Sequence, residues 1–359
     1  MQEPQRGPQP PTLEGAPPRR LITPGRVIAL VVSAIGLYVV WPSLIAVLGS
    51  AADLDEIRWP WFLVIGALEA ASYGCMWLLI GLTLDSHRWY LIGTSQVAGN
   101  AFSKAVPGGS AAGAALQFRM LNDGGIAAPK IATGLTAVSL INVATLFAMP
   151  LFALPAILGG AAINEGLSRA AWLGLGVFVL LFAGGAALLL ADRPVHLAAR
   201  AAQKLHNTIL RHKPPITDLS ERLTRERDTV RSILGKRWAS AIVRSIGNVA
   251  LDYGALLAAL VAVGARPRPS LVLLAYVAAV VIGMFPITPG GLGLVEAGLA
   301  GMLVLAGVNG AQATLATLAY RLASYWGPLL AGAVAYYLYK RRAPKWRARA
   351  AAAAEGVGP

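Results

Sequence analysis

The segment 285–299 constrains this chain most, because it interrupts one of the most apolar regions with two prolines, four glycines and a carboxylate. Proline lacks the backbone N–H that a helix needs, and Gly290, Gly291 and Gly293 allow sharp turns and close approach of other groups. At membrane depth, irregular backbone is tolerated only where it is buried in protein or lines a water-filled cavity. We therefore predict a break between two half-helices, close to the functional site, with Glu296 in the second half-helix.

A fainter copy of this pattern occurs earlier in the chain, between residues 102 and 113, around Pro107-Gly108-Gly109. The stretch before it is polar and too short to cross a bilayer comfortably. We predict that each break joins two short helices into a re-entrant hairpin, the first entering from the cytoplasm and the second from outside. The four hairpin helices are predicted over residues 90–105, 107–121, 271–285 and 289–308.

Apolar residues make up 56% of the 359 residues and charged residues only 13%, a balance far too apolar for a soluble domain. The apolar residues are divided among stretches of about twenty, the length at which a helix crosses a bilayer. We predict an all-α polytopic membrane protein with about six full spans and two re-entrant hairpins. The spans are predicted at 27–48, 61–84, 131–158, 172–190, 239–263 and 311–339, with a kink at Pro150 or Pro155.

Positive charge is unevenly distributed, since eleven of the 31 Lys and Arg residues lie between residues 192 and 238 and six lie between 340 and 349. Such clusters are typical of cytoplasmic segments under the positive-inside rule. We predict a multi-pass protein of the plasma (inner) membrane with both termini in the cytoplasm, and with residues 49–60 and 159–170 outside. The predicted divisions are a disordered tail over 1–26, a transmembrane domain over 27–342 that contains the cytoplasmic basic helical loop 192–238, and a second cytoplasmic tail over 343–359.

The spans and hairpins divide into two equivalent units. Each unit holds three full crossings, so the two insert in opposite directions, which is the inverted repeat of many transporters. One spacing supports the repeat: Glu69 precedes Pro107 by 38 residues, and Asp252 precedes Pro289 by 37. The two mid-span carboxylates are then pseudo-symmetry mates.

Ionisable residues inside predicted spans are Glu69, Asp252, Glu296 and Arg321. A charge at the bilayer centre costs roughly 2.5–3.5 kcal/mol, so these residues face the interior. They form either carboxylate–arginine pairs that hold helices together or a polar cavity for a headgroup or for protons. Helix N-termini at both Pro-Gly-Gly turns, with nearby cations, suit an anion such as a lipid phosphate, whereas a packing turn without a ligand is the structural alternative. The candidate substrate-binding residues are Glu69, Asn100, Lys104, Pro107, Gly108, Gly109, Arg119, Asp252, Pro289, Gly290, Gly291, Gly293, Glu296 and Arg321.

Motifs of known enzyme chemistry are missing from the sequence. The Pro-Gly-Gly segment has no Gly-Lys-Ser/Thr of a nucleotide-binding P-loop and follows no predicted strand of a dinucleotide fold. No zinc-type His-Glu-x-x-His and no nucleophile elbow occur. The one cysteine, Cys75, lies in a predicted span, and the four histidines lack metal-ligand spacing. We therefore expect no enzyme activity, no metal, no cofactor and no nucleic-acid partner, and we expect membrane lipids as partners.

The second break resembles a known family. The run Pro289-Gly290-Gly291-Leu292-Gly293-x-x-Glu296, followed by Tyr320-Arg321-Leu322 and Trp326-Gly327-Pro328, is similar to the membrane domain of bacterial lysylphosphatidylglycerol synthetases and to its stand-alone, flippase-like relatives. The resemblance covers residues 26–342. The first break, over 100–109 and 117–121, resembles actinobacterial members, but no acidic residue follows its glycines, which departs from a common pattern.

In the synthetases this membrane domain is taken to flip an aminoacylated lipid that a separate soluble domain makes. Only 17 residues follow Arg342, so the resemblance implies translocation of an anionic amphiphile, such as a phospholipid or a polyprenyl-linked lipid, rather than its synthesis. One alternative is a lipid-linked glycosyl- or aminoacyl-transferase, which needs metal-binding carboxylates in a loop, where the sequence has none. Another is a non-transporting scaffold that recruits a separate lipid-synthesis enzyme through residues 192–238. The sequence predicts neither the substrate's identity nor the oligomeric state.

Overall fold

The computed structural model describes residues 60–106, 109–153, 235–284 and 289–354, with isolated helical positions between 172 and 228. Regular structure in these segments is helical, as predicted, and contains no strand. Several predicted features lie outside the described residues: the span 27–48, nearly all of the span 172–190, the tail 1–26, Pro107, Gly108 and most of the basic loop 192–238.

Helices in the first half match the predicted boundaries within a few residues. They are α1 over Pro60–Thr83, α2 over Trp89–Ala105, α3 over Gly109–Asp123 and α4 over Ala128–Ala148. The kink predicted at Pro150 takes the form of a 3₁₀ turn, Met149–Ala153, which follows α4 directly. Proline cannot donate the next helical hydrogen bond, so the α-helix ends there. Pro155 lies outside the described residues.

Helices in the second half also follow the prediction, with one difference. They are α5 over Trp238–Ala262, α6 over Pro269–Gly283, a 3₁₀ turn over Pro289–Gly291, α7 over Leu294–Leu305, α8 over Gly310–Arg321 and α9 over Gly327–Ala354. Pro269 stands in the first turn of α6, where its missing N–H is not needed. Asn309 caps α8, because its Oδ1 accepts a hydrogen bond from the Ala311 N–H at 2.9 Å.

The predicted span 311–339 is not one continuous helix, because a π-helical turn, Leu322–Trp326, separates α8 from α9. In this turn the Gly327 N–H donates to the carbonyl five residues back. Pro328 explains the wider turn, since it lacks an N–H and its ring would clash with the carbonyl of Ser324 in a regular α-helix. α9 then continues to residue 354, past the predicted end of the span.

Both predicted pairs of short helices are present as closely packed hairpins. A Cβ added to Gly99 on α2 would lie 3.0 Å from the Cβ of Gln117 on α3, whereas one added to Gly109, at the start of α3, would meet the backbone of Ser103, near the end of α2. These contacts run in opposite directions along the two helices, so the pair is antiparallel. α6 and α7 also pack through a glycine, since a Cβ on Gly298 would lie 3.0 Å from Cδ1 of Ile282.

α1 and α5 cross through a polar contact between Ser72 and Asn248. The Asn248 Nδ2 donates to the Ser72 carbonyl oxygen at 3.0 Å and to its Oγ at 2.8 Å, and the Ser72 Oγ donates to the Asn248 carbonyl oxygen at 2.8 Å. One helical turn away on each helix stand Glu69 and Asp252. Residues one turn apart share a face, so the contact aligns the two carboxylates predicted to be pseudo-symmetry mates.

Three helical segments among the described residues are long and apolar enough to cross a membrane: Pro60–Thr83, Ala128–Phe152 and Trp238–Ala262. Each has 24 or 25 residues, which at a rise of ~1.5 Å per residue spans the hydrocarbon core of a bilayer. α6 and α7 are apolar but shorter. Large apolar side chains such as Leu63, Val243 and Leu330 stand exposed on the surface. A lipid environment solvates such side chains, as expected for an all-α membrane protein.

Candidate functional site

Tyr325, in the π-helical turn, joins the two breaks. Its hydroxyl donates to the backbone carbonyl of Lys104, just before the first break, at 3.2 Å. Its ring packs on Gly290 in the second break, where an added Cβ would lie 2.5 Å from the ring. Gly290 also has φ +58°, a conformation that side chains disfavour. Both requirements make glycine necessary at position 290. Tyr325 therefore contacts two breaks that come from opposite halves of the chain.

Two cations approach the same tyrosine ring. Lys104 Nζ lies 5.3 Å from the ring centroid of Tyr325, and Arg321 Cζ lies 4.5 Å from it. Lys104 Nζ also donates to the carbonyl of Ser324 at 2.7 Å. That carbonyl is available because Pro328, four residues later, has no N–H to donate to it. The proline that widens the turn therefore also provides an acceptor that holds Lys104 in place.

Arg321 is paired with Glu296, as the sequence predicts for two charges in an apolar environment. The Arg321 Nε lies 2.7 Å from Glu296 Oε1, and the two side chains are 11% and 15% exposed. The other carboxylate oxygen, Oε2, accepts the N–H of Gly293 at 2.7 Å. Glu296 therefore satisfies a free N–H at the start of α7 and neutralises Arg321 at the same time.

Asp252, on α5, is held by two tyrosine hydroxyls. Tyr276 on α6 donates to Oδ2 at 2.6 Å, and Tyr320 on α8 donates to Oδ1 at 2.9 Å. Both tyrosines are buried. Two neutral donors thus satisfy both oxygens of the Asp252 carboxyl. Among the described residues, the predicted carboxylate–arginine pairing therefore holds for Glu296, while Asp252 takes tyrosines instead.

Glu69, on α1, faces Asp252. Its side chain is 6% exposed, and its Oε1 accepts no hydrogen bond within the described part of the chain. The Glu69 carboxyl interacts electrostatically with the carboxyl of Asp252 and with Lys104. One turn further along α1, the Tyr73 hydroxyl donates to Oδ1 of Asn100 on α2 at 3.1 Å. The carboxyl pair thus interacts with Lys104, one of the two cations at Tyr325.

The structure brings most of the predicted site residues into one continuous cluster, contributed by α1, α2, α5, the second break, α7 and α8. These are Glu69, Asn100, Lys104, Asp252, Gly290, Gly293, Glu296 and Arg321.

Other predicted residues stand apart from this cluster. Arg119 is exposed on α3 and makes no contact with the cluster among the described residues. Gly109 packs against the backbone of Ser103 in the α2–α3 hairpin, and Gly291 packs against Val295. Pro289 begins the 3₁₀ turn of the second break. Pro107 and Gly108 lie outside the described residues.

Sequence reasoning missed the tyrosines and the Ser324 carbonyl. Sequence reasoning did not distinguish Tyr276, Tyr320 and Tyr325 from the apolar residues around them, although a buried tyrosine hydroxyl normally finds a polar partner. The available signal was the position of two tyrosines relative to Arg321: Tyr320 directly precedes it, and Tyr325 follows it by four residues. The Ser324 carbonyl had a signal as well, because Pro328 leaves the carbonyl four residues before it without a helical donor.

Membrane-length apolar helices, exposed apolar side chains and a buried cluster of charges define an α-helical integral membrane protein. The chain belongs to the family described as the lysylphosphatidylglycerol synthase TM region, which matches residues 26–332. It is also similar to a UPF0104 membrane protein of Methanothermobacter thermautotrophicus, with 35% identity over 98 residues. That match covers 27% of this chain and 28% of the relative's length. The family membership confirms the resemblance carried by the second break and the last span.

Proposed function

We propose that this protein binds an anionic amphiphile, such as a phospholipid or a polyprenyl-linked lipid, and translocates it between the two leaflets. One observation carries the proposal: Lys104 and Arg321, cations from opposite halves of the chain, converge on Tyr325 where the two breaks meet. Charges inside a membrane protein are costly and usually mark a substrate or ion pathway. Membership in a family named for the membrane region of a lipid-modifying synthase supports a lipid as the substrate.

Both cations keep donors for a phosphate. A lysine ammonium has three donors, and the Ser324 carbonyl uses one of those of Lys104. The Arg321 Nε donates to Glu296, and its Nη2 makes only a long hydrogen bond, 3.4 Å, to the carbonyl oxygen of Gly290. The remaining donors match phosphate oxygens, for which charge-assisted hydrogen bonds are short and strong.

We propose an inverted repeat as the basis of translocation. α1 and α5 cross with Glu69 opposite Asp252 and Ser72 opposite Asn248, so the two helices run in opposite directions, as the second and fifth spans of such a repeat should. Among the described residues, one cluster of buried apolar side chains comes mainly from α1 to α4 and another mainly from α5 to α8, while a third, smaller cluster joins α2 and α3 to α9. In transporters built this way, substrates bind between the repeats at broken helices. The two hairpins are then re-entrant, and the mechanism includes no catalytic step.

We place the protein in the plasma (inner) membrane with both termini and the basic loop 192–238 in the cytoplasm, on the Lys/Arg asymmetry. A cysteine introduced at position 200, in a background where Cys75 is replaced, should react with a membrane-impermeant maleimide only after the cells are opened. Labelling of this position in intact cells would reverse the orientation.

Translocation is tested in liposomes that contain fluorescent, NBD-labelled phosphatidylglycerol, with dithionite used to bleach the outer leaflet. Lys104→Gln and Arg321→Gln should each slow the loss of inner-leaflet fluorescence by roughly 10- to 100-fold, the effect of removing a charged hydrogen bond worth about 1.5–3 kcal/mol. The exposed residues Lys130 and Arg266 supply matched controls, and Lys130→Gln and Arg266→Gln should transport at the wild-type rate. Wild-type rates in both site variants would overturn the anion site, and bleaching no faster than in protein-free liposomes would overturn translocation.

A further inference from the structure

We propose that Glu69 and Asp252 form a proton-binding site linked to the anion site, so that the anionic amphiphile is carried together with a proton. This inference rests on the proposed function, because it names the ion that moves with the substrate of the same site. Within the described part of the chain, Glu69 is a carboxylate of the cluster whose hydrogen bonding is incomplete.

The carboxyl pair needs a proton to be stable. Both oxygens of Asp252 already accept tyrosine hydroxyls, whereas Oε1 of Glu69 is buried without a donor in the described structure. Two facing carboxylates in a dry environment do not both ionise, and they share one proton as a coupled pair. A proton on Glu69 removes the repulsion and turns its carboxyl into a donor toward Asp252. Because both oxygens of Asp252 already accept hydrogen bonds, we place the proton on Glu69.

The charged and titratable groups around the pair come from several helices. Among the described residues these are Tyr73 on α1, Lys104 on α2, Tyr276 on α6 and Tyr320 on α8, while Arg321 interacts with Tyr320 and is paired with Glu296. α4 carries only the exposed Lys130, which interacts with Asp85 beyond the end of α1. The other ionisable side chains of α5 are engaged elsewhere, since Arg244 donates to the carbonyl of Leu78 and Tyr253 donates to that of Pro269.

Lys104 connects the proton site to the anion site. It interacts electrostatically with Glu69 and Asp252 on one side, and it shares the Tyr325 ring with Arg321 on the other. An anion that binds Lys104 neutralises the positive charge that would otherwise stabilise an ionised Glu69. Anion binding therefore favours protonation of Glu69, and by reciprocity protonation favours anion binding.

Linked binding has a direct consequence for transport. A singly charged phosphodiester that crosses alone carries one negative charge through the membrane, so the membrane potential acts on its transport. A phosphodiester that crosses together with a proton carries no net charge. The proton gradient then drives the lipid, and Glu69 is the residue that carries the proton through the membrane.

The test is isothermal titration calorimetry of the full-length, detergent-solubilised protein with dihexanoyl phosphatidylglycerol. Titrations in two buffers of different ionisation enthalpy give the number of protons exchanged. We expect wild-type protein to take up at most one proton per lipid bound, in an amount that increases with pH as the free carboxyl pair loses its shared proton, and to bind the lipid up to about tenfold more tightly for each pH unit lowered. Glu69→Gln should bind the lipid without taking up a proton and with an affinity independent of pH. Asp85→Asn, at an exposed carboxylate, is the matched control and should behave like wild type.

A second measurement keeps the proposal testable if Glu69→Gln does not fold. The infrared spectrum of the wild-type protein should contain a protonated-carboxyl C=O band that shifts on lipid binding. Lipid binding without proton uptake in the wild type, or equal uptake in wild type and Glu69→Gln, would overturn the proton site while leaving the anion site intact. A complete absence of lipid binding in every buffer would instead overturn the proposed function, and the proton linkage with it.

Discussion

Replacing Glu296 by glutamine should destabilise the contact between α7 and α8. The Glu296 carboxylate has two partners at 2.7 Å, the Arg321 Nε and the Gly293 N–H. Glutamine has one oxygen, so one of these donors loses its acceptor. Arg321, at 11% exposure, also loses its counter-charge and becomes a buried cation without compensation. Glu296→Gln therefore removes a charge and a cap with a change of one atom.

The magnitude follows from the burial of the pair. Removing one member of a buried ion pair typically costs ~3–5 kcal/mol, because the remaining charge is left uncompensated. Glutamine keeps one acceptor, and both side chains retain slight contact with solvent, so we expect a loss of stability at the lower end of this range. A loss of about 3 kcal/mol lowers the folding equilibrium constant roughly 100-fold, since each 1.4 kcal/mol is tenfold.

The assay compares four proteins: wild type, Glu296→Gln, Arg321→Gln and the double variant. Each is heated in detergent and followed by size-exclusion chromatography, and each is then measured for transport of NBD-phosphatidylglycerol in liposomes. Both single variants should melt below wild type, whereas the double variant should recover most of the stability because no lone charge remains. It should still transport slowly, since the anion has lost a cation. Wild-type transport by the double variant would refute the functional role and leave a helix-locking ion pair, and an unchanged melting temperature for Glu296→Gln would refute the energy argument.

Two further predictions address the second break and the C-terminal end of α1. Replacing Gly290 and Gly291 together by leucine should leave the amount of inserted protein unchanged but abolish lipid transport, because both have positive φ and a Cβ on Gly290 would meet the Tyr325 ring at 2.5 Å; full transport in this variant would reduce the break to a simple connection. Arg237, whose Nη1 donates to Asp85 Oδ1 at 3.0 Å, holds the pKa of Asp85 below its ordinary value. This pair therefore stabilises the folded state above the ordinary carboxyl pKa and loses that effect as the pH falls through the lowered pKa. The melting-temperature difference between wild type and Asp85→Asn should shrink to zero on acidification, and a difference that stays constant with pH would contradict the assignment.

Much of the helix pattern and part of the site were predictable, because they depend on local chemistry. The described helices follow the predicted boundaries where an apolar run of bilayer length is bounded by proline, glycine or charge. The pairing of Glu296 with Arg321 was predictable from the cost of lone charges in a bilayer. The interruption of the last span was not predicted, although Pro328 signalled it.

Partners that lie far apart in the chain were decided by helix packing alone. Asp252 pairs with Tyr276 and Tyr320 rather than with an arginine, and Glu69 meets Asp252 although 183 residues separate them. No local pattern distinguishes such partners from other residues of the same type.

The sequence by itself determined the membrane class, the two breaks and the need of each buried charge for a partner. These properties depend on the cost of placing polar groups in hydrocarbon, a cost that each residue carries wherever its neighbours lie. The tertiary structure decided that Lys104 lies in the cluster at Tyr325 while Arg119, an equally plausible cation, stands exposed on α3. The reason is geometric: packing of α2 against α9 and of α3 against α2 sets which face of each helix is buried. Only the packed helices contain that information.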